Sequence, residues 1–452
     1  MRVDVVVVGL GVGGEEVAGR LAEAGLSVVG IEGRLVGGEC PYYGCVPTKM
    51  MIRAGNLLAE GRRIPGMAGD SEVRPDWTPV AKRIRDEATD DWNDKVAVDR
   101  FTGKGGHFVR GYARLDGPGR VLVGDEAFEA GRATVIATGT APVAPPIEGL
   151  AGTPYWTNRD AVEATTLPRS LLILGGGAIG LELAQVIARF GTEVTVIEGA
   201  PRLLAMEEPE SSELAAQTLA AEGIRYYTGR HVSKVDYDGD RFTVTCGGET
   251  FSGDKLLVAA GRKAELGKLG LDTIGLDPQA HTLAVDDRMR AGDNLWAVGD
   301  VTGKGAFTHI AMYQAGVAIN DILGNAGPPA DYRALPRVTF MDPEIGAAGL
   351  TESQAREQGL TVRTGLSKVP ESSRGWIHKA GNEGFIKLVA DADRGVLVGA
   401  TSAGPTGGEV LGALAVAIHA EVPLDRLNHM IFAYPTFHRG IGDALRALAA
   451  SA

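Results

Sequence analysis

The sequence predicts an α/β fold with two parallel β-α-β units, the second inserted in the first, and three observations carry that reading. At 452 residues the chain exceeds the size at which one hydrophobic core stops growing, so two or three domains are expected. A pattern of strand, glycine turn, helix and strand occurs twice, far apart, with the same internal spacing. A later apolar strand, residues 294–300, ends on an acidic residue and leads into an apolar segment from Ala306 toward Ile322. There the interrupted first unit resumes, from near residue 265.

The first unit opens on Val3 and the β-branched run at residues 5–8. The turn Gly9-Leu10-Gly11-Val12-Gly13-Gly14 follows, then the helix pattern EEVAGRLAEAG and a second strand, LSVVGIE, closing on Glu32. Gly9 permits the tight turn, Gly11 leaves room for a pyrophosphate and Gly14 lets helix and strand pack closely. The diphosphate then meets backbone N–H groups at the helix N-terminus, and Glu32 is placed to hold ribose hydroxyls. In the second unit SLLILG leads into Gly175-Gly176-Gly177-Ala178-Ile179-Gly180, LELAQVIARFG is the helix and TEVTVIE closes on Glu198. Glu32 stands 23 positions after Gly9, and Glu198 stands 23 after Gly175. One such turn is a weak signal. Two, each followed by an acidic strand end, imply two Rossmann-like sites and two dinucleotides. A carboxylate at Glu198 suits the 2′-hydroxyl of NAD and repels the 2′-phosphate of NADP, so NADH is preferred; Arg202 nearby keeps NADPH open.

Segment Asn294-Leu295-Trp296-Ala297-Val298-Gly299-Asp300 reads as a short buried strand whose carboxylate emerges at its end. Asp300, after Gly299, is suited to accept hydrogen bonds from a polyol such as the ribityl chain of a flavin, and Ala137-Thr138-Gly139 occupies a similar strand end. His309, nine residues after Asp300, is a candidate for lining the same pocket.

Composition narrows the partners. The formal charge is −12 with no dense Lys/Arg block, which gives neither nucleic acid nor an anionic membrane a footprint. The apolar stretch at residues 410–420 falls well short of bilayer length, and Asp4 interrupts what would be the apolar region of a signal peptide. A cytoplasmic protein without membrane insertion is expected. Only three cysteines occur, too few for a structural disulfide framework, whereas a catalytic pair suits a reducing compartment. Cys246, in the alternating strand RFTVTC, is read as a packing residue.

The other two cysteines lie in Gly37-Gly38-Glu39-Cys40-Pro41-Tyr42-Tyr43-Gly44-Cys45-Val46-Pro47-Thr48-Lys49. Pro47 is tolerated in a first helical turn, and Met51, Ala54 and Leu58 continue a helical period, so Cys45 is expected near a helix N-terminus, where dipole and unpaired N–H groups favour a thiolate. Lys49, four residues on, shares its face. A cation there would stabilise reduced flavin but needs a carboxylate partner, and Glu182 is the candidate.

Residues 37–49 resemble the GGxCxxxGCxPxK signature of the class I pyridine nucleotide–disulfide oxidoreductases, the family of dihydrolipoamide dehydrogenase, glutathione reductase, mycothione reductase and mercuric reductase. The similarity continues through residues 175–182, Gly299 and Asp300, residues 342–346 and Tyr434-Pro435-Thr436. The resemblance implies an FAD domain, an inserted NAD(P) domain and a C-terminal α+β dimerisation domain in a homodimer. The divisions are placed at residues 1–145 and 265–334 for FAD, 146–264 for NAD(P) and 335–452 for the interface. It further implies that Gly38 joins the flavin contacts, that NADH reduces the flavin, that Cys45 receives its electrons, and that Cys40 is the outer thiol that exchanges with substrate sulfur.

Members that handle small disulfides carry His-Pro-Thr-x-x-Glu near the C-terminus, whose imidazole serves the interchange thiol. Here the stretch is Tyr434-Pro435-Thr436-Phe437-His438-Arg439. Tyrosine, with an ordinary pKa of about 10, is a poor base at neutral pH, and an arginine disfavours a nearby imidazolium. His438 reaches back to the place of Tyr434 only if this stretch is helical. There is no leading Cys-x-x-Cys metal-binding module and no terminal cysteine pair, so the activities of mercuric reductase and of the large thioredoxin reductases are not expected; no metal site is expected either. The leading expectation is an NADH- and FAD-dependent reductase acting through a Cys40–Cys45 disulfide on a small thiol or disulfide. Direct reduction of a quinone from flavin and a non-catalytic flavoprotein subunit are the alternatives. Tyr42 and Tyr43 either wall the acceptor site or pack the loop.

Overall fold

The computed structural model describes residues 1–450 and divides into two units. The first comprises Met1–Thr48, Ala81–Val143 and Gly261–Asp331. Its sheet runs in the order Arg290–Gly292, Leu295–Ala297, Glu126–Ile136, Arg2–Val8, Val28–Glu32, His107–Arg110. The strand Arg2–Val8 is central and pairs in parallel with both neighbours. Its valine run is explained by burial on both faces. Val5 and Val7 pack with Val17, Ala18 and Leu21 of the helix Val12–Glu23 and with Ala315, Ala318 and Ile319 of the helix Thr308–Leu323. Val6 and Val8 pack on the opposite face with Leu115, Val121 and Phe128. The chain leaves this unit at Val143 and returns at Gly261. Val143 N donates to Gly261 O at 3.1 Å, and Ala141–Pro142 pairs antiparallel with Arg262–Lys263, so departure and return are tied together.

The second unit comprises Lys49–Val80, Ala144–Ala260 and Tyr332–Ala452. It holds a parallel sheet in the order Arg225–Tyr227, Glu193–Ile197, Ser170–Leu174, Lys255–Val258 and an antiparallel meander, Val232–Tyr237, Phe242–Cys246 and Glu249–Gly253. Cys246 is fully buried in that meander's core with Phe242 and Val244, and burial pushes its thiol up. Five antiparallel strands form a further sheet, Pro336–Thr339, Glu344–Gly349, Val396–Gly404, Phe385–Asp391 and Val362–Lys368. Helices Gly407–His419 and Arg439–Ala450 cover it through Val410, Leu411, Leu414, Ala444 and Leu448. Among the described residues no helix is long and apolar enough to cross a membrane.

Candidate active site

The glycines of the two turns sort into two kinds. A Cβ built on Gly9 would meet Ala137 O at 2.5 Å, and one on Gly14 would meet Gly9 O at 1.9 Å. Gly175 and Gly180 repeat this with 2.4 Å to Ala259 O and 2.1 Å to Gly175 O. A Cβ built on Gly11 or on Gly177 would meet nothing within 4 Å. These two residues cap the helices Val12–Glu23 and Ala178–Arg189 without any side-chain hydrogen bond, leaving the first helical amides aimed at open space. Two such cradles fit two diphosphates. The acidic strand ends brace the turns. Glu32 accepts from Leu10 N at 2.9 Å and Arg34 N at 2.7 Å; Glu198 accepts from Gly176 N and, at 2.6 Å, from Ala200 N. A carboxylate has acceptor capacity beyond two hydrogen bonds, so ribose hydroxyls remain within its means. Arg202 is turned elsewhere, donating to Leu204 O at 3.3 Å, Ala205 O at 2.7 Å and Ser212 Oγ at 2.5 Å.

Asp300 opens a short 3-10 turn after Gly299 and accepts from Thr140 Oγ1 at 2.7 Å. Thr140 in turn accepts from Arg262 Nε at 3.0 Å. Thr138 and Gly139 therefore stand just past the strand Glu126–Ile136, two residues and one residue before the contact with Asp300. Thr140 and Arg262 carried no sequence motif of their own.

The cysteine loop is seated on the first glycine turn. Gly37 N donates to Leu10 O at 2.7 Å, and a Cβ on Gly38, whose φ is +69°, would meet Gly11 Cα at 2.9 Å. Cys40 lies in the one-turn helix Glu39–Tyr42, half-buried, and Cys45 is the exposed first residue of the helix Cys45–Arg63. Gly44 brings the two turns together, since its Cβ would stand 3.6 Å from Cys40 Cα. Cys45 Sγ lies 3.2 Å from Thr308 Oγ1, at the start of the helix Thr308–Leu323, so two helix N-termini meet this sulfur. Thr308 was missed by sequence reasoning, because nothing local in GAFTHIA couples it to residue 45. The two tyrosines differ. Tyr42 is buried, and burial, with Asp94 and Glu15 nearby, pushes its hydroxyl pKa up; it packs the loop. Tyr43 stacks on Trp92, ring centroids 6.4 Å apart.

In the second unit Lys49 Nζ lies 2.8 Å from Glu182 Oε2 and 4.5 Å from the centre of the Phe340 ring. Glu182 is 8% exposed at its side chain, and its other oxygen accepts from Phe340 N at 2.8 Å. One turn further along the same helix Gln185 exchanges hydrogen bonds with Asp342, donating to its carbonyl and accepting from its N–H, each at 2.8 Å. Arg189, another turn on and 2% exposed, reaches Glu222 at 2.6 Å and Asp342 at 2.8 Å. The Lys49–Glu182 pair, its lysine 36% exposed, is thus the outer rung of a polar ladder along the helix Ala178–Arg189.

The C-terminal candidates are placed differently. Residues 434–438 form turns, and the helix begins only at Arg439, so the helical register that would bring His438 under Tyr434 is absent. Tyr434 is exposed and its hydroxyl donates to Ser373 Oγ at 3.1 Å. Arg439 pairs with Asp443 at 3.2 Å. His309 is the second residue of the helix Thr308–Leu323 and stacks on Phe307 at 5.1 Å.

Two diphosphate cradles, one bearing a dithiol loop on its rim, define an oxidoreductase that handles two dinucleotides. Residues 3–315 match the family described as pyridine nucleotide-disulphide oxidoreductase and residues 335–445 match its dimerisation domain. The chain belongs to this family: it is an FAD-dependent enzyme that uses NAD(P)H. It is 32% identical to the dihydrolipoyl dehydrogenase of Thermus scotoductus, over 98% of this chain and 97% of the relative. It is 31% identical to a mercuric reductase of Bacillus cereus, over 97% of this chain and 70% of that protein. Among solved structures it is similar to the HOCl-induced flavoprotein disulfide reductase RclA from Escherichia coli, in its Cu(II) complex, with a TM-score of 0.87, 26% identity and 99% coverage of both chains.

Proposed function

We propose that the enzyme is a cytoplasmic homodimer that reduces a small disulfide at the expense of NADH, with Cys40 and Cys45 as the exchanging sulfurs. The observation that carries this is the seating of the cysteine loop on the turn that cradles one dinucleotide, with Cys45 opening a helix. Residues 1–145 and 265–334 hold FAD, 146–264 hold the nicotinamide nucleotide and 335–452 pair the subunits. When bound, FAD supplies the acceptor for hydride and the donor of electrons to sulfur. Cys45, facing two helix N-termini and the hydroxyl of Thr308, is stabilised as a thiolate. Lys49, one turn along, contributes a cation whose position is fixed by Glu182 and covered by Phe340. Gly9, Gly11, Gly14, Gly38, Glu32, Thr138, Gly139, Gly299, Asp300 and His309 serve the flavin nucleotide; Gly175, Gly177, Gly180 and Glu198 serve NADH.

The relatives' names differ in acceptor, so likeness does not choose one. The stretch Tyr434-Pro435-Thr436-Phe437-His438-Arg439 replaces the His/Glu pair, and Tyr434 acts as a hydrogen-bond donor in place of an imidazole base, which weighs against efficient dihydrolipoamide oxidation. Anaerobic titration with NADH is expected to take up about two electron pairs per FAD and to raise a long-wavelength charge-transfer band from the Cys45 thiolate. The band is expected to vanish in Cys45→Ser; its persistence there would refute the assignment.

A further inference from the structure

Cys40 lines a cavity of about 340 Å³, within the range of small-ligand pockets. The helices Val12–Glu23 and Lys95–Gly103 wall it, and they present charge of both signs. Glu15 is held by Arg100 at 2.6 Å, Glu16 by Arg20 at 3.6 Å and Lys104 by Glu23 at 3.5 Å. Lys104 lies across Gly19: a methyl group on that glycine would stand 3.0 Å from Lys104 Cδ and 3.3 Å from Nζ. The missing side chain at residue 19 is what lets the ammonium lie along the cavity. Glu16 and Lys104 keep side-chain exposures of 27% and 31%, so water reaches both.

This lining separates acceptor classes. A quinone, or the dithiolane end of a lipoyl chain, entering between the helices strips water from Glu16 and offers that carboxylate neither a cation nor a hydrogen-bond donor, which is an uncompensated desolvation. A doubly anionic disulfide meets Glu15 and Glu16, and a doubly cationic one meets Lys104 and Arg100. A disulfide with an ammonium and a carboxylate on each half finds a counter-charge for both. Resting on the dithiol reading above, we propose that the acceptor is a small zwitterionic disulfide of the amino-acid type, held beside Cys40 with its carboxylate on Lys104 and its ammonium on Glu16.

The exchange balances. The Cys40 thiolate attacks one sulfur of RSSR, forming a mixed disulfide and expelling RS⁻, which takes up a proton. The Cys45 thiolate then attacks the Cys40 sulfur, re-forming the Cys40–Cys45 bridge and releasing the second thiol. Two electrons from NADH reopen the bridge, so RSSR, NADH and one proton give two RSH and NAD⁺.

The test is NADH oxidation by the FAD-loaded protein with L-cystine, cystamine, 3,3′-dithiodipropionate, bis(2-hydroxyethyl) disulfide and lipoamide. The kcat/KM for cystine is expected to exceed every other by about tenfold or more, the worth of one hydrogen bond to a charged group. Glu16→Gln and Lys104→Gln are expected to erase that preference chiefly through KM, and Lys104→Arg to restore it. NADH-driven bleaching of the flavin band checks that each variant is folded and loaded. A preference for the hydroxyethyl disulfide or lipoamide, or a ranking that neither substitution moves, overturns the assignment and leaves the dithiol role standing. Cystine turnover that survives Cys40→Ser overturns the dithiol role itself.

Discussion

The two glycine turns share one skeleton and part company immediately after it. In both, the carbonyl of the second turn residue accepts from an amide downstream of the acidic strand end: Leu10 O from Gly37 N at 2.7 Å, Gly176 O from Leu204 N at 2.9 Å. In the first unit the returning segment is 33–38, and it delivers the cysteines. In the second it is 199–204, and it delivers Leu203, whose Cδ2 would stand 2.7 Å from a Cβ at Gly176. Leu10 can be a leucine, fully buried in the core, because no such side chain comes down on it. The motif fixes a nucleotide cradle; the stretch behind the acidic residue decides what is brought to it.

Breaking either cradle gives the largest effect. Gly14→Ala and Gly180→Ala each force a methyl onto a carbonyl oxygen, at 1.9 Å and 2.1 Å, an overpacking worth about 1–3 kcal/mol or more locally. Gly14→Ala is expected to purify without flavin. Gly180→Ala is expected to keep its flavin absorbance but to lose bleaching by NADH. Equal loss of flavin in both would mean that the cradles are not separately assigned.

The next effect falls on stability instead of cofactor loading, just beyond the returning segment of the second unit. Lys387, 5% exposed, reaches Glu208 at 3.1 Å, Glu210 at 2.8 Å and Glu352 at 3.1 Å, clasping the start of the helix Pro209–Ala221. Burial opposes its charge, but the hydrogen bonds it donates to Glu210, Glu208 and Glu352 outweigh that and raise its pKa above the ordinary 10.5. Lys387→Met strands the buried carboxylate of Glu208 and is expected to cost about 3 kcal/mol in denaturant unfolding. The folded chain holds this proton more tightly than the unfolded one, so the stabilisation is complete below 10.5 and drains away as pH rises through the raised value. The methionine variant should lack that alkaline loss; an unchanged alkaline arm would show that the clasp contributes nothing.

The smallest effect sharpens nucleotide choice. Glu198→Ala is expected to raise NADPH turnover relative to NADH by at least about tenfold, because a like-charge juxtaposition with the 2′-phosphate is removed. Arg202→Ala should shift that ratio less, since its guanidinium is engaged by Leu204 O, Ala205 O and Ser212. Steady-state rates with both nucleotides decide it.

The cradles were legible because each is local: turn, helix and strand lie within one short stretch, and glycines mark every close approach. Lys49 and Glu182 were legible as chemistry, a cation in need of a carboxylate, although far apart in the chain. Thr308 beside Cys45, Phe340 N on Glu182, and the Arg189–Asp342 ion pair were not, because each joins elements that no periodicity relates. The reach of His438 back to Tyr434 needs residues 434–438 to be helical, and the helix starts only at Arg439, after both. Lys387 reads in sequence as an ordinary strand lysine; only the arrival of three carboxylates from other elements gives it a role.

The open surroundings of Gly11 and Gly177 have a consequence of their own. Both sit in ordinary backbone regions, φ −64° and −83°, so the polypeptide alone tolerates alanine at either place. A variant there should be an intact apoprotein that melts like the parent stripped of its nucleotide, yet never loads. Crowded glycines answer to the chain that packs on them, whereas these two answer only to the visitor.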